Sequence, residues 1–362
     1  MSSLKDNLTD RCYLYVYTKS LLIDSMAGAR QNGSPISHVA EGIDEGITEL
    51  FLQLGNETRL AILLALANES APITRETYDP SGLSAVPFSE LRELVGIRDP
   101  GNFNYHLREL EGTFIRKGED GYELLPAGNR IVATVVSIAG TEEVTLEPTE
   151  IDLACPQCGA PTLVTYQRGR MYHLCTECDG NIVVGDRHPP RILSGIVLDR
   201  SVLRDRSPED LLLVQYGWKF YSFALAMQGI CIMCSGQMEG TINVCDDHEP
   251  SPRGPCGSCG FTYEAAGHFS CSVCNHSMLW GVIPLSSIHP AGIGFCWEAD
   301  IELDFGSGSL DTLRRLYDLY NDSTVSIQSY DPPSVSVTLR NNDDELTISF
   351  DEDLTAVHVT TT

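Results

Sequence analysis

The sequence predicts an α+β protein of several domains: a winged helix-turn-helix, a zinc ribbon and a zinc-containing α+β C-terminal domain. Three features of its 362 residues support this. Between residues 43 and 140, apolar residues recur at helical spacing and then give way to a hairpin pattern. Ten of the 13 cysteines form five Cys-x-x-Cys pairs. After residue 320, apolar and polar residues alternate in short runs between turn residues, which is typical of antiparallel strands.

The charge of the chain is strongly negative. It carries 50 acidic and 24 basic residues, for a net charge of −26, and its only lysines are Lys5, Lys19, Lys117 and Lys219. Because repulsion between carboxylates is screened in concentrated salt, this balance predicts a halophilic protein. An ordinary acidic cytosolic protein is the alternative.

The beginning of the chain gives two expectations. Residues 1–42 fit poorly with the domain that begins at residue 43, so we expect a flexible N-terminal extension. They lack the basic segment, apolar stretch and cleavage site of a secretion signal, and no run in the chain reaches the 18 apolar residues of a membrane span. These features predict a soluble, cytoplasmic protein that makes no contact with a membrane.

Residues 43–140 predict a small helical domain that ends in a hairpin. An apolar helix is expected over 57–66, and a shorter one over 87–95 that ends at Gly96. Asp99 is a good N-cap and Pro100 suits the first helical position. Phe103, Leu107 and Leu110 then form one apolar stripe, which leaves Tyr105 and Arg108 facing solvent. Asn102, Asn104 and His106 flank that exposed row.

The segment after this helix completes a known order of elements. Residues 113–117 and 122–125 read as two strands joined by a glycine-containing turn. Helix, helix, turn, helix and hairpin is the order of a winged helix-turn-helix, whose second motif helix enters the major groove of double-stranded DNA. Residues 87–117 hold five basic and five acidic side chains, so the segment is neutral within a very acidic chain. A protein-binding or purely structural bundle is the alternative.

Three stretches, LGNETRLAILLAL, PFSELRELVGIRDPGNFNYHLREL and FIRKGEDGYELLPAGNRIV, resemble the ArsR-like winged helix-turn-helix regulators of halophilic archaea. The resemblance covers about residues 46–138 and implies a DNA-reading homodimer. It puts one group on or beside the recognition helix: Asn102, Asn104, Tyr105, His106 and Arg108. It puts Arg116 and Lys117 on the wing. The connection between Asn68 and Pro87 is longer than is usual in the family.

The first two Cys-x-x-Cys pairs predict a zinc ribbon over residues 150–190. Cys155 and Cys158 are separated by sixteen residues from Cys175 and Cys178, a spacing that lets two hairpin tips present four thiolates to one ion. Gly159 permits the tight turn after the first pair. All four positions are protein ligands, so such a site is structural. Free thiols and disulfides are the alternatives.

A second cluster offers eight further ligands, enough for two zinc ions and thus three Zn²⁺ per chain. The resemblance to related regulators, which keep a CxxC…FxCxxC pattern before His-Pro, implies that the outer pairs share an ion: Cys231, Cys234, Cys271 and Cys274. The inner set is then Cys245, His248, Cys256 and Cys259. A cross-braced pairing, or one zinc ion with spare thiols, remains possible on spacing alone. Cys12 and Cys296 are predicted to be ordinary unpaired residues.

Residues 205–362 predict the C-terminal domain. Ser207 and Pro208 begin a strongly apolar helix that we expect to lie in the core or in a dimer contact. A helix over 309–320 and four strands follow. Residues 298–354 contain 14 acidic and 3 basic side chains, so this part should avoid DNA.

These features favour a transcriptional regulator that reads an operator, while the zinc-binding half receives an unknown effector or sets assembly. A zinc-dependent protein-interaction scaffold is one alternative. A redox- or metal-responsive regulator that uses the 231–274 cluster is another. The sequence contains no nucleophile elbow, phosphate loop, His-Glu-x-x-His helix or dinucleotide fingerprint, and we therefore predict that it is not an enzyme.

Overall fold

A computed structural model describes residues 47–69, 85–138, 144–183, 185, 187–251, 254–306 and 309–362. They fall into two compact units, which divide near residue 141. The predicted N-terminal extension, residues 1–42, and most of the long connection before Pro87 lie outside the described residues. The protein is a mixed α and β chain, as the sequence predicts.

The first unit consists of helices followed by a hairpin and a last helix. Its elements are α1 (Ile47–Leu54), α2 (Glu57–Glu69), α3 (Phe88–Val95), α4 (Pro100–Leu110), β1 (Ile115–Lys117), β2 (Tyr122–Leu124) and α5 (Pro126–Ile138). Strands β1 and β2 are antiparallel, with Arg116 opposite Glu123. Val86 adds an isolated bridge to Tyr122, so the hairpin is joined to the segment that precedes α3.

The connection between α3 and α4 follows from its local sequence. Gly96 ends α3 in the left-handed region, at φ 76°, where glycine has no steric cost. The Asp99 side chain then accepts a hydrogen bond from the Gly101 N–H at 2.9 Å, and Pro100 occupies the first helical position. The predicted cap and the predicted start of α4 are therefore confirmed.

The core of the first unit consists of apolar side chains from α2, α3, α4 and the hairpin. Phe103, Leu107 and Leu110 have no exposed surface, and Phe103 meets the ring of Phe88 edge-on with centroids 5.3 Å apart. Ile62, Leu63 and Leu66 of α2 complete the same cluster. The helical stripe predicted for residues 103–110 is thus the face that α4 buries.

The second unit combines three larger sheets with four helices. Its elements are β3 (Leu146–Ala154), β4 (Pro161–Gln167), β5 (Arg170–Cys175), β6 (Ile192–Val197), α6 (Pro208–Met227), β7 (Met238–Val244), β8 (Pro250–Ser251), β9 (Gly254–Cys256), β10 (Ala265–Cys271), β11 (Ser277–Gly281), α7 (Val282–Ile288), α8 (Pro290–Glu298), α9 (Asp311–Asp322), β12 (Thr324–Tyr330), β13 (Pro333–Asn341), β14 (Asp344–Phe350) and β15 (Ala356–Thr361). A short 3-10 helix, Arg200–Leu203, precedes α6.

All the strand pairs of this unit are antiparallel. The sheet orders are β3-β4-β5-β6, β11-β10-β7 and β12-β13-β14-β15, and β8 pairs with β9. The four strands predicted after residue 320 are confirmed as one meander. Helix α6 starts where the sequence predicts, because the Ser207 Oγ accepts a hydrogen bond from the Asp210 N–H at 3.1 Å.

The main core of the second unit includes residues of both predicted domains, and this corrects the predicted division into residues 150–190 and 205–362; two smaller apolar clusters lie around Cys155 and Tyr172. Val164 and Met171 of the first sheet are fully buried in the same cluster as Leu212 of α6 and Val335 of β13. A sheet of four strands has an apolar face to cover, and α6 covers it. The two predicted domains are therefore parts of one packed unit.

No helix among the described residues is both long enough and apolar enough to cross a membrane.

Candidate functional site

The cysteines of the second unit converge in three groups of four ligand atoms, which we call tetrads. The first contains Cys155, Cys158, Cys175 and Cys178; the second contains Cys231, Cys234, Cys271 and Cys274; the third contains Cys245, His248, Cys256 and Cys259. Within each tetrad the ligand atoms lie within 4.8 Å of one another. The structure thus brings the outer pairs of the second cluster together, and not the cross-braced alternative.

Four of the Cys-x-x-Cys pairs adopt the same turn. In each, the N–H of the first cysteine donates to the carbonyl five residues later, and the N–H four residues later donates back, with N···O distances of 2.8–3.1 Å. The residue after the second cysteine has a left-handed backbone, with φ of 56–75°: Gly159, Ser235, Gly260 and Asn275. Among these four positions, only Gly159 was expected from the sequence to need this conformation.

The distances within the tetrads fit a shared metal ion and not disulfides. The Sγ atoms of Cys155 and Cys178 are 3.6 Å apart, and those of Cys158 and Cys175 are 3.5 Å apart. In the second tetrad the corresponding distances are 3.7 Å and 3.6 Å. A disulfide requires about 2.05 Å. Thiolates bound at about 2.3 Å to one tetrahedral ion lie about 3.8 Å apart, so the residues present fit such an ion.

The third tetrad includes an imidazole whose orientation suits coordination. The Nδ1 of His248 is 3.5 Å from the Cys259 Sγ, close to the separation of about 3.6 Å expected for nitrogen and sulfur on one tetrahedral ion. Its other nitrogen, Nε2, lies 3.3 Å from the Thr262 carbonyl oxygen. A hydrogen bond on the far nitrogen fixes the tautomer that leaves Nδ1 free to bind a metal.

Backbone N–H groups around two of the pairs favour the thiolate, which is the form that binds metal. The Cys259 N–H is the main cause that lowers the pKa of Cys256 to about 6, and the Glu249 and Ser258 N–H groups contribute at 3.3 Å. The Cys274 N–H likewise lowers the pKa of Cys271 to about 7. In these two pairs the first cysteine is therefore the more acidic one, whereas in the Cys155–Cys158 pair the second cysteine has the lowered pKa, about 7, and burial raises the pKa of the first.

Two further residues of the second unit take no part in the tetrads. Cys296 is fully buried and belongs to no tetrad, and none of the described cysteines forms a disulfide. His173 lies on β5, two residues before Cys175, but it is buried between Tyr216 and Tyr317, with its Nδ1 3.4 Å from the Tyr317 hydroxyl. Burial lowers its pKa to about 3.

Contacts between the first and third tetrads were not visible in the sequence. The Asn181 Oδ1 accepts hydrogen bonds from the Gln157 amide, next to the first tetrad, and from the Thr262 hydroxyl at 3.2 Å. The Thr262 N–H also donates to the Asn181 carbonyl at 3.1 Å, while its own carbonyl contacts His248. One feature of the sequence hints at this connection: Asn181 and Thr262 each follow the last cysteine of their tetrad by three residues.

In the first unit, α4 exposes part of the row of polar side chains expected from its periodicity. Tyr105 is 55% exposed, Asn102 and Arg108 are exposed, and Asn104 is half-buried. Arg108 has no ion-pair partner among the residues that the structure describes. Lys117 is exposed on the hairpin, with its Nζ 5.9 Å from the centre of the Tyr122 ring.

Two predicted DNA contacts need correction. His106 is only 8% exposed because it lies on the buried side of α4, three residues after Phe103 and four before Leu110, so it is not available to a ligand outside the unit. Arg116 is exposed but not free, since its guanidinium pairs with the buried Glu123 at 2.7 Å across the hairpin. This pairing neutralises one of the two positive charges expected on the hairpin.

Two family matches cover most of the described chain. Residues 47–135 match the Domain of unknown function (DUF7347), and residues 152–356 match the Domain of unknown function (DUF7351). Neither a curated protein nor a solved structure matches the chain. Because the second match covers more than half of the 362 residues, the chain belongs to the DUF7351 family.

Proposed function

We propose that this protein is a DNA-binding transcriptional regulator whose first unit is a winged helix-turn-helix and whose second unit is built around structural zinc. The observation that carries the proposal is α4. This helix buries Phe103, Leu107 and Leu110 and turns Asn102, Tyr105 and Arg108 outward. Amide and guanidinium groups on one face of a helix are the groups that read base edges in the major groove.

The surroundings of α4 support the same function. The preceding helix α3 and the turn at Gly96 give the helix-turn-helix order, and the β1–β2 hairpin follows as a wing. Arg116 is paired with Glu123, so two of the side chains predicted to contact DNA are exposed cations without such an ion pair. We assign Arg108 to the bases and Lys117 to the phosphate groups. Because residues 87–117 carry equal numbers of acidic and basic groups, phosphate meets no local excess of negative charge.

Zinc is the ion that we propose for the three tetrads. Two sets of four thiolates and one set of three thiolates with an imidazole are typical zinc donors, and the first tetrad with its antiparallel strands has the character of a zinc ribbon. Every set provides four protein ligands and leaves no position for water or substrate. These sites therefore support folding and not catalysis. Elemental analysis of the purified chain should give three zinc ions per chain.

The DNA-binding proposal is tested with the full chain, in molar KCl and at lower salt. Selection from random double-stranded DNA should enrich one operator sequence. The affinity of the protein for a labelled copy of this operator is then measured by fluorescence anisotropy. We expect Arg108→Ala to weaken operator binding by about 1–3 kcal/mol and to relax selectivity at one base pair. Lys117→Ala should weaken binding to all DNA sequences to the same extent. It should also reduce the slope of the logarithm of the binding constant against the logarithm of the salt concentration by about one.

Arg204→Ala is the matched control, because it removes an exposed arginine from the second unit. It should leave the affinity unchanged. Failure of the selection to enrich any sequence, or equal effects of the Arg108 and Arg204 variants, would contradict the proposal. The zinc-dependent interaction scaffold would then be the better account of the same fold.

A further inference from the structure

Three arginines of the second unit lie on two segments that meet at the turn between β4 and β5. This turn consists of Arg168 and Gly169, and Arg168 is exposed there. Its Nη1 donates to the Arg187 carbonyl oxygen at 3.0 Å, which joins the segment before β6 to the turn. Arg187 is also exposed, and Arg170 begins β5. We call Arg168, Arg170 and Arg187 the arginine surface.

The position of His188 shows that the charges of the arginine surface converge. The Nδ1 of this histidine is hydrogen-bonded to the Tyr172 hydroxyl of β5 at 2.7 Å, so its ring is held beside the strand. Burial lowers the pKa of His188, and the charges of Arg170, Arg168 and Arg187 lower it further. Among the described residues no carboxylate opposes this shift. The electrostatic potential at this end of the sheet is therefore positive.

A cluster of cations is unexpected in so acidic a chain. Carboxylates outnumber lysines and arginines by 50 to 24, and in the same unit Arg314 and Arg340 each pair with a carboxylate, at 2.7 Å and 2.6 Å. Arg168 and Arg187 have no such partner in the part of the chain that the structure describes. Like charges that are held together repel one another, and an uncompensated local conflict of this kind is typical of a functional surface.

The chemistry and the shape of the arginine surface indicate the class of ligand. A guanidinium group presents a planar fork of donors that matches two oxygens of a phosphate group. Small ligands are bound in concave sites that enclose them, whereas Arg168 is exposed at a turn and Arg187 on the adjoining segment. Exposed guanidinium groups on two neighbouring segments fit an extended polyanion, whose phosphate groups are repeated along a backbone.

We propose that the arginine surface is a second DNA-binding surface, which holds phosphate groups of double-stranded DNA whatever their base sequence. The choice of DNA as the polyanion rests on the proposed function, whereas the surface itself belongs to the second unit. Phosphate contacts supply affinity, and base contacts of the kind assigned to α4 supply selectivity. The second unit therefore takes part in binding DNA directly.

The test is the binding of the full chain to a labelled duplex of unrelated sequence, measured by fluorescence anisotropy at several KCl concentrations. The logarithm of the binding constant should fall linearly with the logarithm of the salt concentration. The double variant Arg168→Ala, Arg187→Ala should reduce this slope by about two, because each lost phosphate contact removes about 0.9. The double variant Arg168→Lys, Arg187→Lys keeps both charges and should keep a slope close to that of the wild type.

A second double variant, Arg315→Ala with Arg340→Ala, is the matched control. It removes the same charge from the same unit, but from the acidic segment 298–354, and it should leave the slope unchanged. An unchanged slope in the Arg168 and Arg187 alanine variant would overturn the proposal, and so would an equal fall in the control. A wild type that does not bind the duplex at low salt, or that prefers single-stranded RNA of the same length, would overturn it as well.

The same variants distinguish this proposal from the proposed function. If an operator is enriched and Arg108→Ala relaxes selectivity, while the Arg168 and Arg187 alanine variant binds as the wild type does, only the second surface is wrong. If no operator is enriched but the slope still falls in that variant, the arginine surface binds DNA and the assignment of α4 as a reader of bases is wrong.

Discussion

Residues 47–138 and residues 144–362 differ in the chemistry that is available to stabilise them. The first unit contains no cysteine and buries Phe103, Leu107 and Leu110 in a continuous apolar core. The second unit also has an apolar core, but it contains in addition three tetrads of potential metal ligands, and the second tetrad contributes Cys231 and Cys271 to that core. Short loops bury too little apolar surface to offset the entropy lost on ordering, whereas a bound metal ion can supply that free energy.

The two units should therefore respond differently to metal removal, and this should be the largest effect. Chelation with thiol alkylation should abolish protection from hydrogen exchange at the cysteine turns between residues 155 and 274. A structural zinc site contributes about 10 kcal/mol or more to folding in zinc-finger peptides. Protection in α2 and α4 should persist. Hydrogen exchange measured by mass spectrometry on the full chain follows both units in one experiment. Equal loss of protection in both units would contradict the difference proposed between them.

The opposite perturbation removes apolar packing from the first unit. Phe103→Ala should destabilise that unit by about 3–5 kcal/mol, because it empties a fully buried site. The metal content of the chain should not change. Denaturant unfolding, followed by hydrogen exchange and by metal release, measures both quantities. Tyr105→Ala removes a half-exposed ring from the same helix and serves as control, with an expected change within about 0.5 kcal/mol.

Loss of bound metal in the Phe103 variant would indicate that the two units do not fold independently. Loss of stability in the Tyr105 variant comparable to that of the Phe103 variant would contradict the assignment of the two faces of α4.

Local signals in the sequence determined which elements could be predicted. The Asp99-Pro100 start and the i, i+4, i+7 stripe predict the observed start and the buried face of α4, because capping and periodicity act within a few residues. The alternation after residue 320 predicts β12 to β15 for the same reason. The grouping of the eight ligands in the second cluster needed the family resemblance, since spacing alone allows more than one pairing.

Features that depend on distant contacts could not be read in the same way. The pairing of Arg116 with Glu123 follows from the hairpin register, whereas the burial of His106 was within reach of the sequence, since its spacing from Phe103 and Leu110 places it on the buried face of α4. The shared core of the second unit depends on Met171 and Val335, which are far apart in the chain. A helix that is apolar on all sides, such as α6, gives no sign in its sequence of which face is exposed.

Within the second unit, the tetrads differ in how they are connected to one another. Asn181 links the surroundings of the first and third tetrads through Gln157 and Thr262, whereas no such contact reaches the second tetrad among the described residues. Asn181→Ala should therefore weaken metal binding in both of the connected tetrads. A tenfold or larger loss is expected, as is typical of residues that orient ligands.

Competition with a chelator, combined with mass spectrometry of alkylated cysteines, identifies which thiols are released first. In the Asn181 variant, Cys178 and Cys259 should be released together and before Cys234. Asn243→Ala, an exposed change on β7, should leave the order of release as in the wild type. Release from the first tetrad alone would mean that the hydrogen bonds through Asn181 do not couple the two sites.

The smallest predicted effect is a dependence of the stability of the first unit on pH. Burial lowers the pKa of His106 below its ordinary value of 6.5, and the nearby Arg59 adds to the shift while Glu109 opposes it. The unfolded chain therefore binds a proton that the folded unit does not, so the stability of the first unit should fall as the pH drops below about 6.5. His106→Gln stays neutral and should flatten this dependence. Among the described residues of the first unit His106 is the sole histidine, so a slope between pH 5 and 7 that survives the substitution would assign the effect to carboxylates instead.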